Sequence, residues 1–255
     1  MPETVISLED VGVKFARNRM RHHTIRDFVL HGGSNGPAGE FWPFRHVSFD
    51  IAQGDAVGVV GRNGQGKSTL LKLIAGVMLP DEGAVTVRGG VAPLIEITGG
   101  FTGDLSARDN IYLVAGLHGM PKAEIDEKFD QIVDFAEVRE SIDTPYRHFS
   151  SGMKVRLAFS VVSRLQEPII LVDEVLAVGD KAFRAKCYDR IDELLSTGTT
   201  LFLVSHSAAD LRRFCKRGIY LRNGEMRGEG PLDEIIDRYE GDLAALKTDP
   251  VVART

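Results

Sequence analysis

The stretch Gly61-Arg62-Asn63-Gly64-Gln65-Gly66-Lys67-Ser68 constrains this chain more than any other. It fits the pattern G-x-x-x-x-G-K-[ST], and its flanks are those the pattern requires. Ala56 to Val60 reads as a strand before it, and Lys67 to Ala75 as a helix after it. Glycines here let backbone N–H groups close around phosphate oxygens, and the helix N-terminus adds its positive dipole end. Lys67 can then reach the outer phosphates of a nucleotide, and Ser68 can hold Mg²⁺. A plain glycine turn opening a helix is the simpler reading, but it does not explain why both flanks are right.

A second feature answers the first. The apolar run Ile169 to Val172 ends in Asp173 and Glu174. A strand this continuously apolar is buried on both faces, as in a parallel sheet. An aspartate at its C-terminal end lies beside a phosphate loop and can hold Mg²⁺, usually through water. Glu174 could activate an attacking water. Without the loop upstream, two solvated acids at a strand end would be the better reading.

The rest of the chain alternates strands and helices around these motifs, which indicates an α/β core. Val5 to Phe15, Val47 to Ile51, Val85 to Val87, Val91 to Ile97 and Thr200 to Val204 read as strands. Ile219 to Leu221 and Glu225 to Arg227 bracket an Asn223-Gly224 turn. Helices are expected over most of residues 107–142, then over Lys154 to Gln166, Phe183 to Ser196, Ala208 to Cys215 and Asp233 to Leu246. The helical block at about residues 100–165 interrupts the core as an inserted subdomain. The whole reads as one domain over residues 1–245 with a tail at 246–255. An insertion at about residues 17–44 separates the first two strands. A basic run, with Lys14, Arg17, Arg19, Arg21 and Arg26, leads into it and lies close to a short helix expected at Thr24 to Leu30.

Composition excludes some partners. The net charge is −5 and the pI about 5.8, which argues against bare nucleic acid as the main partner. The two cysteines, Cys187 and Cys215, match no metal-ligand spacing and point to a reducing compartment. No apolar run reaches the roughly 18 residues that span a bilayer, so a membrane role requires docking onto another chain.

His148-Phe149-Ser150-Ser151-Gly152-Met153-Lys154 opens the helix before the Asp173 strand. Alone it is a serine N-cap signal. Together with the phosphate loop and Asp173 it resembles the ABC ATPase family, whose signature L-S-G-G-Q occupies this place. Phe149 stands for the leucine, Ser151 for the first glycine and Met153 for the glutamine, while Ser150 and Gly152 remain. The resemblance spans about residues 5–230. It implies a P-loop NTPase of ABC ATPase type, with a mixed core sheet, an inserted helical subdomain and an N-terminal antiparallel β portion. It implies ATP and Mg²⁺ as cofactors. ATP would lie on Gly61, Arg62, Asn63, Gly64, Gln65, Gly66, Lys67, Ser68 and Thr69. A second copy would contribute Ser150, Ser151, Gly152, Met153 and Asp180 in trans, the last from the D-loop-like Ala177-Val-Gly-Asp180. Mg²⁺ would be held by Ser68 and Asp173. Glu174 would be the general base and His206, inside Val204-Ser-His206, the switch histidine at the γ-phosphate. Phe15 would stack on adenine, with a core phenylalanine as its alternative. The family has a glutamine after the Val91 strand. Here Glu96 is the nearest candidate, either as a ligand of Mg²⁺ or water or as an ordinary strand-end carboxylate.

Three further features resemble one branch of the family: Phe41-Trp42 before Val47-Ser48-Phe49, the Ser-Ser-Gly-Met signature, and Gly99-Gly-Phe101 leading to Ser106-Ala-Arg108-Asp109-Asn110. That branch is the ATPase subunits of exporters for lipid-linked polysaccharides of O-antigen, teichoic acid or galactan type. The chain ends at Thr255, as in short forms without a C-terminal carbohydrate-binding domain. The branch implies an integral membrane permease as partner, a second copy across the ATP sandwich, and a polyprenyl-diphosphate-linked glycan as cargo. Its place would be peripheral, at the cytoplasmic face of a bacterial inner membrane. The segment from Gly99 to Asn110 would dock on the permease, with Phe101 as its apolar contact. Alternatives are another cargo, such as a drug or lipid, or a soluble ABC ATPase acting on ribosomes or DNA. Soluble members usually join two cassettes or insert a coiled coil, and neither is seen.

Overall fold

The computed structural model describes residues 3–16, 40–95, 99–173 and 180–248. Its strands are β1 (Thr4–Ala16), β2 (Glu40–Ala52), β3 (Ala56–Val60), β4 (Glu82–Val87), β5 (Val91–Leu94), β6 (Ile169–Val172), β7 (Thr200–Val204), β8 (Arg217–Arg222) and β9 (Glu225–Pro231). Its helices are α1 (Lys67–Ile74), α2 (Ala107–Leu117), α3 (Lys122–Ala136), α4 (Ser151–Val162), α5 (Lys181–Ser196), α6 (Ala208–Phe214) and α7 (Leu232–Thr248).

The strands form two sheets. One is antiparallel, in the order β2-β1-β4, and the other runs β5-β6-β7-β3-β8-β9. The larger sheet is parallel up to β8, and only β9 runs antiparallel to its neighbour. The expected mixed core and antiparallel N-terminal portion are both present.

Alternation within the buried strands divides the core. Leu201 and Leu203 of β7, with Ile170 and Val172 of β6, face the helical side, where α2 to α6 pack. Phe202 and Val204, with Ile169 and Leu171, face α1 and the antiparallel sheet. Successive side chains of a strand point to opposite faces, so two apolar layers need an unbroken apolar run.

Several boundaries differ from the sequence expectation. β2 begins at Glu40, not Val47, pairing Glu40 with Ala16, Phe41 with Phe15 and Phe44 with Val13. Pro43 is accommodated because β2 is an edge strand. The insertion therefore narrows from residues 17–44 to 17–39, and those residues, including the expected helix at Thr24 to Leu30, lie outside the described residues. Helix α4 starts at Ser151 because Ser150 caps it, and it ends at Val162 rather than Gln166. There the chain tightens: Arg164 N–H donates to Val161 O at 3.0 Å and Leu165 N–H to Val162 O at 3.1 Å, a 3₁₀-type ending. Finally, α7 runs on to Thr248, past the expected start of a tail at 246.

Candidate functional site

Three neighbouring strands deliver residues to one edge of the sheet. β3 feeds the phosphate loop, β6 ends at Asp173, and β7 leads to Ser205 and His206. Val59 is level with Val204, and Val172 with Leu203, so all three chains leave the sheet at about the same height. Ligands of open α/β sheets bind at this C-terminal edge.

The phosphate loop is held from behind. Gly64 and Gly66 have φ of 77° and 86°, the left-handed region that glycine occupies without strain. A Cβ on Gly66 would also lie 2.6 Å from Phe44 Cδ1, so β2 presses against the loop. Gln65 Oε1 accepts the Asn223 N–H from the β8–β9 turn. That turn packs on β2 in its own right, with Arg45 N–H donating to Gly224 O at 2.8 Å. Lys67 is 6% exposed, and its ammonium curls into the loop, donating to Gly61 O at 2.7 Å and Arg62 O at 3.0 Å. Arg62, Asn63 and Ser68 are exposed, and Thr69 is half-buried in the first turn of α1.

Ser68 Oγ donates to Asp173 Oδ2 at 3.3 Å, across the gap between α1 and β6. This contact unites the two strongest sequence motifs. Among the described residues no group of three or more His, Cys, Asp or Glu side chains could hold a metal. A hydroxyl and one carboxylate alone suit Mg²⁺, which completes its octahedron with phosphate oxygens and water. The two cysteines take no part: both are buried, and burial pushes each thiol up to about 12.

Phe15 is 43% exposed and stands opposite Phe41, itself 39% exposed, at the far end of the β1–β2 ladder. Its exposure removes the core-phenylalanine alternative. The strand pair that carries it also carries Phe44, which lies against Gly66, so the exposed Phe15–Phe41 pair and the phosphate loop share one support. His206 is exposed just past the end of β7. Glu174, Ala177 to Gly179 and Glu96 lie outside the described residues.

The signature residues lie at the N-terminus of α4. Ser150 Oγ accepts the Met153 N–H at 3.2 Å, a serine cap. Ser150 and Ser151 are exposed, Gly152 and Met153 half-buried. A Cβ on Gly152 would meet only Ser150 Oγ, at 3.9 Å, so this helix end is open to an approaching group.

Asp180 occupies a position the sequence did not anticipate. Its Oδ1 caps α5, accepting from Ala182 N–H and Phe183 N–H at 2.9 Å each. Its Oδ2 accepts from Arg156, on α4. Arg156 also donates to Glu137 at 2.6 Å, and Glu137 is bound by Lys186. The cap from Phe183, with Arg156 beside it, holds the Asp180 carboxyl below its ordinary value; the Lys186 bond does the same for Glu137. Asp180 thus ties the signature helix to α5 within its own chain. Arg156 and Glu137 carried no signal in the sequence, and neither did the Asn223 contact of Gln65, because the partners are distant along the chain.

A family model described as ABC transporter matches residues 44–177, more than half of the chain. The chain belongs to the ABC transporter family. Within it, the chain is an ATP-binding subunit by its relatives. It is 40% identical over 248 residues to the O-antigen export system ATP-binding protein RfbB of Klebsiella pneumoniae, covering 95% of this chain and 100% of that protein. It is 39% identical over 203 residues to the teichoic acids export ATP-binding protein TagH of Bacillus anthracis, covering 79% of this chain and 37% of the relative. Among solved structures, an ATP-binding subunit of an ABC transporter superposes with a TM-score of 0.76 at 22% identity, covering 94% of this chain and 100% of that one. A dimeric ATP-binding cassette in a post-hydrolysis state with ADP and phosphate gives 0.71 at 21%, over 89% of this chain and 98% of that one. At these identities the structural likeness speaks for the ABC ATPase fold alone. Among the described residues no helix is long and apolar enough to cross a membrane.

Proposed function

We propose that this chain is the ATPase of an exporter for lipid-linked polysaccharide, working as a pair of copies at the cytoplasmic face of the membrane beneath an integral permease. The observation that carries the reaction is the Ser68–Asp173 contact at 3.3 Å, under a loop whose lysine lies buried within it. Support for the cargo comes from the relatives, whose names place them in O-antigen and teichoic acid export. The transported molecule is then a polyprenyl-diphosphate-linked glycan.

ATP enters with its adenine on Phe15 and its phosphates against the N–H groups of residues 61–69. Lys67 leaves the Gly61 and Arg62 carbonyls for the outer phosphates, a charge-assisted exchange that favours the phosphate. Ser68 and Asp173 would hold Mg²⁺, which would supply charge neutralisation at the phosphate oxygens. Glu174 takes the proton from the attacking water, and His206 faces the γ-phosphate. Ser150 to Met153 of the second copy close the site with the N-terminus of their α4, and Asp180 braces that helix.

Mixing subunits tests the shared site. A Lys67→Ala chain is combined with a Gly152→Asp chain, each inactive alone. In the mixed dimer one composite site carries both defects and the other neither, so ATPase activity should return. Mixed dimers as inactive as both parents reject the reading.

A further inference from the structure

Phe101 and Ser150 are distant in sequence, yet two ring contacts, one stacked and one tilted, join them. The Phe101 ring lies over Tyr146 with centroids 4.9 Å apart and planes at 23°. Tyr146 meets Phe149 at 5.8 Å and 40°. Phe149 is the residue before Ser150, the cap of α4. Lys154 Nζ, in the first turns of that helix, stands 5.4 Å from the Tyr146 ring centroid.

The backbone follows the same route. Tyr146 N–H donates to Leu105 O and Arg147 N–H to Gly103 O, each at 2.9 Å. Arg147 also pairs with Asp104, and Ser106 bridges to Pro145. Fully buried Asn110 fastens the loop further, donating to the carbonyls of Thr102, Leu105 and Ser106 and accepting the Thr102 N–H at 2.7 Å. These bonds tie the loop at residues 102–106 to residues 145–147.

Tyr146 is 5% exposed, and its hydroxyl has no hydrogen-bond partner among the described residues. Burial pushes it up to about 12, so it stays neutral. A buried hydroxyl without a partner is disfavoured, so ring packing rather than the hydroxyl holds this side chain in place.

We propose that Phe101, Tyr146 and Phe149 are positioning residues that couple the Gly99–Phe101 segment to Ser150, so that this run of rings sets the aim of the signature helix at the second copy's ATP. The inference rests on the shared-site reading above. The rings touch neither the phosphate loop nor Asp173, so they act on turnover and not on nucleotide affinity.

The test measures, on the full chain, the Kd for a fluorescent ATP analogue and the kcat for ATP. Phe101→Leu and Tyr146→Leu should each lower kcat roughly 10-fold, as sub-ångström misplacement of a reacting partner does, with Kd unchanged. Tyr146→Phe keeps the stack and should keep kcat. The double variant Phe101→Leu/Tyr146→Leu should be no slower than either single variant, because one relay is broken once. A kcat for Phe101→Leu within twofold of the parent, or single losses that multiply, overturns the relay. Should Tyr146→Leu fail to fold, Phe101→Leu at its half-buried position decides the matter. A parent chain without ATPase activity contradicts the functional reading itself, a result distinct from an active parent with a silent Phe101→Leu.

Discussion

The phosphate loop and the signature segment are both helix N-terminal ends, and they are built in opposite ways. The end of α1 has no side-chain cap; Gly66 precedes it at φ 86°. Around it Phe44, Pro43 and the β8–β9 turn press in from behind. The end of α4 has its own serine cap and nothing against Gly152 except that serine. Orphan N–H groups at a helix start require some acceptor. At α1 the surrounding chain shapes a cradle that only an incoming anion completes. At α4 the serine already satisfies one N–H, and the open face suits a partner that arrives from outside. One chain thus contains a cradle and an unfinished lid, as the proposed pairing of two copies requires.

The largest expected effect locks those two ends together. Glu174→Gln keeps the charge-free shape of the side chain and removes its ability to accept a proton. It should slow hydrolysis by roughly 10²-fold or more while ATP still binds. Cradle and lid would then stay closed over uncleaved ATP. Size-exclusion chromatography with and without ATP should show a dimer that persists only with nucleotide. Near-normal turnover by the variant would remove Glu174 from the role of base.

A pair of alanine substitutions sharpens the contrast. Gly66→Ala forces a side chain into the left-handed region and against Phe44, which should cost about 1–3 kcal/mol of stability and abolish ATP binding. Gly152→Ala lies inside α4 with open space around it, so it should stabilise the chain by about 0.5–1 kcal/mol. Nucleotide binding should survive it, while hydrolysis falls, because the added methyl obstructs the approach of a second copy's phosphate. Thermal melts and equilibrium binding on both variants check the signs. Equal losses of binding in both would erase the distinction between cradle and lid.

The two ends also differed in how far the amino-acid order revealed them. Gly61 to Ser68, β6 and β7 were legible to the residue because glycine spacing and unbroken apolar runs are local signals. Asp173 could be placed beside Ser68 because both lie at strand ends of one parallel sheet. The reach of β2 back to Glu40 was hidden by Pro43, which reads as a breaker unless the strand is known to lie at an edge. Nothing local joins Gln65 to Asn223, Phe101 to Tyr146, or Arg156 to Asp180. These are side-chain meetings between elements, and periodicity carries no information about them. The lid depends on such meetings more than the cradle does, so its supports were the part that stayed unread.

The smallest expected effect concerns those supports. Asp180 joins α4 to α5 both as a cap and as a charge, and the two roles separate with pH. Its folded pKa is lowered, first by the Phe183 N–H and then by Arg156. A lowered carboxylate contributes stability above its unfolded value, near 4, and loses that contribution as pH falls through the folded value. Asp180→Asn retains the cap, since asparagine serves there equally well, and discards the charge. At neutral pH the variant should melt slightly below the parent, because Arg156 loses one of its two carboxylate partners. As pH falls below the unfolded value and through the lowered folded value, the parent's own Asp180 takes up a proton, and the gap should narrow. Paired melts at pH 7 and pH 3 give the answer. A gap that does not change with pH would mean that Asp180 braces the signature helix through its cap alone.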